Sequence, residues 1–180
     1  MHEDLERVLY TAQQLDQITD QIAAALRRDY QGKEVVFVCL LKGSFVFFAD
    51  LVRKAGLDAE VDFMAVSSYG SSSVSSGNVT VKKDVSADIR GKHVIIVEDI
   101  LDTGNTLSYI TSYMQRFSPA SVKICTLFDK PSRRTQPIVP DYYGTVIEDW
   151  FIVGYGLDYN EQYRTLPYVG ILKPGIYAHD

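Results

Sequence analysis

The chain has 180 residues, an apolar fraction of 46% and a formal net charge of −5 at pH 7, which fits one domain of ordinary size built on one core. The acidic balance argues against a broad basic nucleic-acid surface and leaves only small patches such as Arg133-Arg134. No apolar run is long enough to span a bilayer, and the acidic start Met1-His2-Glu3-Asp4 lacks a signal-peptide core, so no membrane attachment is expected.

Val8-Leu9-Tyr10 is a short apolar piece, and Thr11 is placed to cap a helix running to about Asp29. Leu15, Ile18, Ile22, Ala25 and Leu26 fall on one face of it, and Gly32 ends the element. Val35 to Leu41 is almost unbroken in its apolar character and reads as a central strand. Lys42-Gly43-Ser44 turns into a helix carrying Phe45, Phe48, Leu51, Val52 and Ala55, stopped near Gly56. Val61 to Val66 is the next strand, and Val79 to Val81 returns from the serine-rich stretch Gly70 to Gly77, which is too polar to order itself by burial. Asp88 to Gly91 is a turn, and His93 to Val97 is a buried strand. A helix from about Thr106 to Phe117 stops before Pro119, Val122 to Phe128 is a strand, and residues 129–142 read as a loop. Phe151 to Val153 is a short strand, and Tyr168 to Leu172 is expected to close the sheet. Strands alternating with helices predict an α/β fold with a mainly parallel sheet covered on both faces. Cys39 and Cys125 sit in apolar runs and read as reduced core thiols, which suits the cytoplasm. His2, His93 and His179 form no metal set.

The most informative stretch is Val94 to Leu107. An apolar strand is followed by Glu98, Asp99 and Asp102, then by the turn Thr103-Gly104-Asn105-Thr106, then by a helix. In an open α/β sheet, ligands bind at the carboxyl edge of the strands. A glycine turn before a helix offers N–H groups, hydroxyls and a positive dipole end to a phosphate. Acids beside an anion cradle make sense when the ligand also carries hydroxyls or a divalent metal, and a sugar phosphate with Mg²⁺ meets both conditions.

This pattern resembles the 5-phosphoribosyl-pyrophosphate (PRPP) signature of the type I phosphoribosyltransferases. Together with Leu41-Lys42-Gly43, Ser68-Tyr69 and Val153-Gly154-Tyr155-Gly156-Leu157-Asp158-Tyr159, it is similar to the hypoxanthine-guanine phosphoribosyltransferase family. The resemblance runs from about the first strand to nearly the C-terminus. It implies a single phosphoribosyltransferase domain over residues 1–180, with a core of about 33–150 and a small hood from the N-terminal segment and about 151–180. It implies a glycosyltransferase of purine salvage that uses PRPP and Mg²⁺ to convert hypoxanthine or guanine into IMP or GMP, and a homodimer or homotetramer, since relatives form both.

The resemblance also distributes roles. Thr103, Gly104, Asn105 and Thr106 would cradle the 5′-phosphate, although taken alone they are ordinary helix-start residues; relatives often carry a basic residue where Asn105 stands. Glu98 and Asp99 would accept from the ribose hydroxyls, directly or through hydrated metal. Asp102 would be the general base that deprotonates the purine; as a plain acid it would simply complement the helix dipole. Lys42 and Gly43 would bind pyrophosphate with Arg164, and in relatives the peptide before the lysine can be cis. Lys130 would donate to the purine 6-oxo group, which disfavours adenine because its 6-amino group is itself a donor. Phe151 would stack on the purine and the Ile152 backbone would read its edge. Asp158, beside the purine site, would hold a second Mg²⁺ through water, so that Glu98, Asp99 and Asp158 are the metal residues. Ser68 and Tyr69 would sit at the base of a lid that excludes water. Trp150 is unusual at its position and is expected to pack on the hood or an oligomer contact. Two other readings compete: a regulator that kept the fold but binds RNA or DNA, disfavoured by the charge, and a transferase for another base such as xanthine or uracil.

Overall fold

The structure is a computed structural model that describes residues 1–68 and 79–178. Its main sheet has six strands in the order β4-β3-β2-β5-β6-β7, where β2 is Val35–Leu41, β3 Glu60–Ser68, β4 Val79–Lys83, β5 His93–Leu101, β6 Ser121–Asp129 and β7 Tyr142–Val146. Every pairing in it is parallel except β3 with β4. Tyr69 and the serine-rich segment expected to form the lid lie outside the described residues, as does His179; Ser68 ends β3 opposite Val79.

The central strands alternate strictly in what they feed. Phe37 and Cys39 of β2, with Ile95 and Val97 of β5, pack beneath α1 (Ala12–Tyr30) and α2 (Phe45–Ala55). Val36, Val38 and Leu40, with Val94 and Ile96, pack beneath α3 (Asn105–Gln115) on the other face. Burial on both faces is why these strands read as continuous apolar runs. Thr11 closes a capping box at the start of α1: its side chain accepts from Gln14 N, and the Gln14 side chain accepts from Thr11 N at 2.9 Å. Such a cap contributes about 1 kcal/mol. Gly56 ends α2 in the left-handed region at φ 58°.

This topology locates the site before any side chain is considered. From β2 the chain moves outward through α2 to β3; from β5 it moves outward the other way through α3 to β6. The order therefore reverses between β2 and β5, and the crevice outside their carboxyl ends is where open sheets of this kind bind ligands.

A second sheet has three antiparallel strands in the order β1-β9-β8, with β1 at Leu5–Tyr10, β8 at Ile152–Val153 and β9 at Val169–Leu172. Tyr168 to Leu172 thus does not close the main sheet. Its strand β9 pairs with β1 and β8, because the run after residue 150 returns to the N-terminal strand. The underside of this small sheet rests on the α1–α2 core through Ile152, Tyr155, Leu157, Val169 and Ile171, which hangs it over the crevice.

Two further departures matter. Residues 129–142 are not simply a loop: they contain a 3-10 turn, Pro131–Arg133, and lead into edge strand β7. Its sequence, Tyr-Tyr-Gly-Thr-Val, lacks the apolar density of a central strand because Tyr143 and Val146 face solvent. Strand β5 also extends four residues beyond Val97, held by pairing of Glu98 with Thr126 and Ile100 with Phe128. The adjacent acids are therefore part of the strand itself. No described helix is long and apolar enough to cross a membrane.

Candidate active site

Two loops meet at the crevice, one leaving β2 with Lys42 and Gly43, the other leaving β5 with Asp102, Thr103 and Gly104. The Leu41-Lys42 peptide is cis. Gly43 is required by close approach, since a Cβ there would collide with the Asp99 carboxylate. Gly104 is required twice: its φ is 86°, and a Cβ would lie 2.6 Å from Ile138 Cγ2. Gly104 starts α3 with no side-chain cap, leaving first-turn donors for an anion. Around these loops lies a cavity of about 320 Å³ lined by Lys42, Gly43, Glu98 to Gly104, Thr106, Leu107, Asp158 and Arg164.

Glu98 and Asp99 form its acidic wall. Asp99 N donates to Glu98 Oε1 at 3.1 Å, and Ile100 N donates to Asp99 Oδ1 at 2.7 Å. Burial pushes both carboxyls above their ordinary range, and the charge of Asp99 pushes Glu98 further. Two acids in one desolvated corner resist ionising together. Asp158 lies across the cavity, and among the described residues no three carboxylates, histidines or cysteines gather closely enough to cage a metal by themselves. The donors present fit Mg²⁺ that arrives on phosphate oxygens and keeps its waters, since that ion takes few carboxylates.

On the hood side, Arg164 donates through Nη1 to Gly156 O at 2.8 Å, while its Nη2 lies 2.9 Å from Asp158 Oδ1 and 3.2 Å from Glu161 Oε2. Its Nε is buried without a hydrogen-bond partner among the described residues. Lys42 Nζ donates to Glu161 Oε1 at 2.8 Å. Lys42, then Arg164, holds the Glu161 carboxyl below its ordinary range.

A second cavity, about 270 Å³, adjoins the first and is lined by Ile100, Asp102, Lys130, Arg133, Trp150 to Ile152, Leu157 and Asp158. Lys130 is only 7% exposed. Its Nζ donates to Trp150 O at 2.9 Å and to Asp149 Oδ1 at 3.4 Å. Phe151 stacks on Tyr177 at 4.6 Å between centroids and meets Tyr159 edge-on at 5.6 Å, leaving the ring partly exposed. Trp150 packs on the hood, with the Arg7 guanidinium of β1 over its ring at 5.3 Å. Ile100, Asp102 and Asp158 line both cavities. Asp102 Oδ1 is buried and accepts no hydrogen bond from the described residues; Arg133 Nε lies 3.3 Å away.

The fold thus gathers every described residue singled out in the sequence except Asn105 and Ser68. Asn105 is not among the residues lining the cavity, and its side-chain oxygen accepts from Gln136 Nε2 at 2.8 Å. That bond belongs to a strap absent from the sequence reading. Thr135 N and Gln136 N both donate to Thr103 O, and Arg134 donates to Asp102 O at 2.8 Å, Ile138 O at 2.6 Å, Leu101 O at 3.1 Å and to the Asp129 carboxylate. Arg133-Arg134 is therefore only in part a surface patch: Arg133 is exposed but ion-paired with Asp102, and Arg134, partly buried, clamps the backbone that carries it. A basic pair in a Pro-rich loop looks like any solvated pair in one dimension, so nothing local marked it.

A family model described as the phosphoribosyl transferase domain matches residues 8–160. A hypoxanthine-guanine phosphoribosyltransferase from Staphylococcus aureus is 47% identical over 99% of this chain and 100% of its own length. The crystal structure of a hypoxanthine phosphoribosyltransferase from the same organism superposes with a TM-score of 0.95, covering 98% of this chain and 96% of that one at 47% identity. A hypoxanthine-guanine phosphoribosyltransferase from Bacillus anthracis with HEPES in its active site covers 94% of this chain and 99% of its own at 41% identity, with a TM-score of 0.90. With a switch-point crevice, a paired-acid wall and full-length kinship, the chain belongs to the phosphoribosyl transferase domain family, among its hypoxanthine-guanine phosphoribosyltransferases.

Proposed function

We propose that this protein transfers the 5-phosphoribosyl group of PRPP to hypoxanthine or guanine, giving IMP or GMP and pyrophosphate. The observation that carries this reading is the position of Asp102 as the common wall of two adjoining cavities, one rich in phosphate donors, the other in aromatic groups with one buried lysine. The sugar carbon C1′ sits at their junction. Its bond to pyrophosphate oxygen breaks, pyrophosphate leaves with the electron pair, a purine nitrogen bonds to C1′, and the purine N–H proton passes to Asp102. The sugar carbon gains oxocarbenium-like charge on the way, and Asp102 as a carboxylate both accepts the proton and offsets that charge.

Thr103, Gly104 and Thr106 hold the 5′-phosphate, with Asn105 acting only through the strap. Glu98 and Asp99 accept from the ribose hydroxyls. Lys42, Gly43 and Arg164 hold pyrophosphate; the Arg164 fork matches phosphate oxygens. Lys130 donates to the 6-oxo oxygen, Phe151 offers its free face to the purine, and Ile152 reads the purine edge through its backbone. Glu98, Asp99 and Asp158 would hold Mg²⁺ through its waters. When bound there, Mg²⁺ would supply positive charge to offset that of the pyrophosphate oxygens. The enzyme works as a homodimer or homotetramer. A cytoplasmic setting belongs to the same reading; Cys39 and Cys125 are free and buried, and burial pushes both thiols up, to about 11 for Cys39, which keeps them unreactive.

A spectrophotometric assay of hypoxanthine, guanine, xanthine and adenine with PRPP, with Mg²⁺ or with a chelator, tests this. Turnover of the first two that the chelator abolishes is expected. Equal turnover of adenine would overturn the Lys130 assignment, and no turnover of any purine would overturn the reading.

A further inference from the structure

We propose that Glu161 competes with pyrophosphate for its two cations, and so sets how tightly pyrophosphate is held and how readily it leaves. The inference rests on the reading of Lys42 and Arg164 as pyrophosphate ligands. Each oxygen of the Glu161 carboxylate engages a different cation: Oε1 accepts from Lys42 Nζ at 2.8 Å and Oε2 from Arg164 Nη2 at 3.2 Å. A bridging anion between these two groups, which come from opposite sides of the crevice, is what a phosphate group would be.

The contact is built to exchange. The Glu161 side chain is 64% exposed, so releasing it returns a carboxylate to water at little desolvation cost. Its backbone stays fixed while the side chain leaves, because Glu161 N donates to Asp158 Oδ2 at 2.9 Å. The competition falls on Arg164 Nη2: Nη1 already donates to Gly156 O, whereas Nη2 is shared between Asp158 and Glu161. Pyrophosphate therefore meets Lys42 and Arg164 Nη2 already engaged by the Glu161 carboxylate. When it departs, the carboxylate is poised to reclaim them and oppose rebinding. Glu161 touches no reacting atom in this scheme; it is a positioning residue that acts through Lys42 and Arg164.

The prediction has an unusual sign, because removing a native contact tightens a ligand. Calorimetry with pyrophosphate and Mg²⁺ at fixed ionic strength should show Glu161→Gln binding about three- to tenfold more tightly than the wild type, the range that loss of one or two exposed ion pairs allows. The KM for PRPP should fall in parallel, and the gain should shrink as salt is raised. Glu161→Ala should behave alike. Structural damage cannot produce a gain in affinity, so unchanged or weaker binding in both variants overturns the proposal. Arg164→Gln separates the two claims: if it loses pyrophosphate while Glu161→Gln does not gain, only the competition is wrong; if it binds as the wild type does, the pyrophosphate reading itself fails.

Discussion

The two sides of the crevice are held by different physics. The rim at the end of β5 is packed and buried: Gly104 is pressed on Ile138, Asp99 lies against Gly43, and Arg134 is clamped to three carbonyls and a carboxylate. Across the crevice, Lys42 from the β2 loop and Asp158, Glu161 and Arg164 from the hood are joined by ion pairs in which Lys42 and Glu161 stay open to solvent, while Arg164 itself is mostly covered. Buried polar networks fix geometry because breaking one leaves an uncompensated charge. Exposed pairs exchange partners cheaply. On the proposed reading, the first kind of physics serves the orientation of sugar and base, and the second serves release of a multiply charged pyrophosphate.

The contrast can be broken most sharply at Asp102, whose Oδ1 accepts no hydrogen bond from the described residues. Asp102→Asn should lower single-turnover transfer by roughly 10²–10⁴-fold while PRPP affinity by calorimetry stays within about twofold; equal losses in both would show that Asp102 only shapes the site. Next comes the clamp. Arg134→Gln strands the buried Asp129 carboxylate, so urea unfolding should show a loss of about 3–5 kcal/mol. Arg134→Lys should restore little of it, since a point charge cannot reach all four acceptors. A loss below 1 kcal/mol would mean the rim is no more rigid than the hood.

Gly104→Ala puts a Cβ against Ile138 in a left-handed conformation and should cost about 1–3 kcal/mol, with weaker binding of ribose 5-phosphate as a second readout. The smallest effect has the opposite sign. Glu98→Gln removes a carboxyl whose ionisation is opposed by burial and then by the charge of Asp99, and should raise the melting temperature where that carboxyl is ionised while weakening PRPP binding. The sign follows from linkage. Because the folded carboxyl value is raised, its destabilising effect is complete above that value. The effect shrinks as pH falls towards the ordinary carboxylate value, about 4.3, and disappears below it. The advantage of the variant should therefore vanish in acid; an advantage that persists there would mean packing, not charge, is the cause.

Several elements were legible because their cause is local. Val35–Leu41, Phe45–Ala55 with Gly56 after it, and the Thr11 cap follow from apolar runs, periodicity and turn chemistry within a few residues. The acids and glycine turn at 98–106 announced a phosphorylated, hydroxylated ligand because strand-end chemistry is written contiguously. Edge strand β7 was not legible, since half its side chains face water and its pairing partner lies in β6. Nor was the membership of Val169–Leu172, whose partners Leu5 to Tyr10 are about 160 residues away in sequence.

Alone, then, the order of residues determined the alternation of strands and helices, the chemistry concentrated after β5 and the kind of ligand that chemistry suits. It also placed Lys42, Lys130, Asp158 and Arg164 among the candidate ligand residues. Only the tertiary structure decided that Asp102 lines two adjoining cavities, that Asn105 is bonded to Gln136, that Arg134 clamps the backbone before it, and that Glu161 bridges Lys42 and Arg164. The reason is distance along the chain: a charged side chain reads as solvated until folding brings it a partner, and the partners of Lys42 and Glu161 are separated by 119 positions.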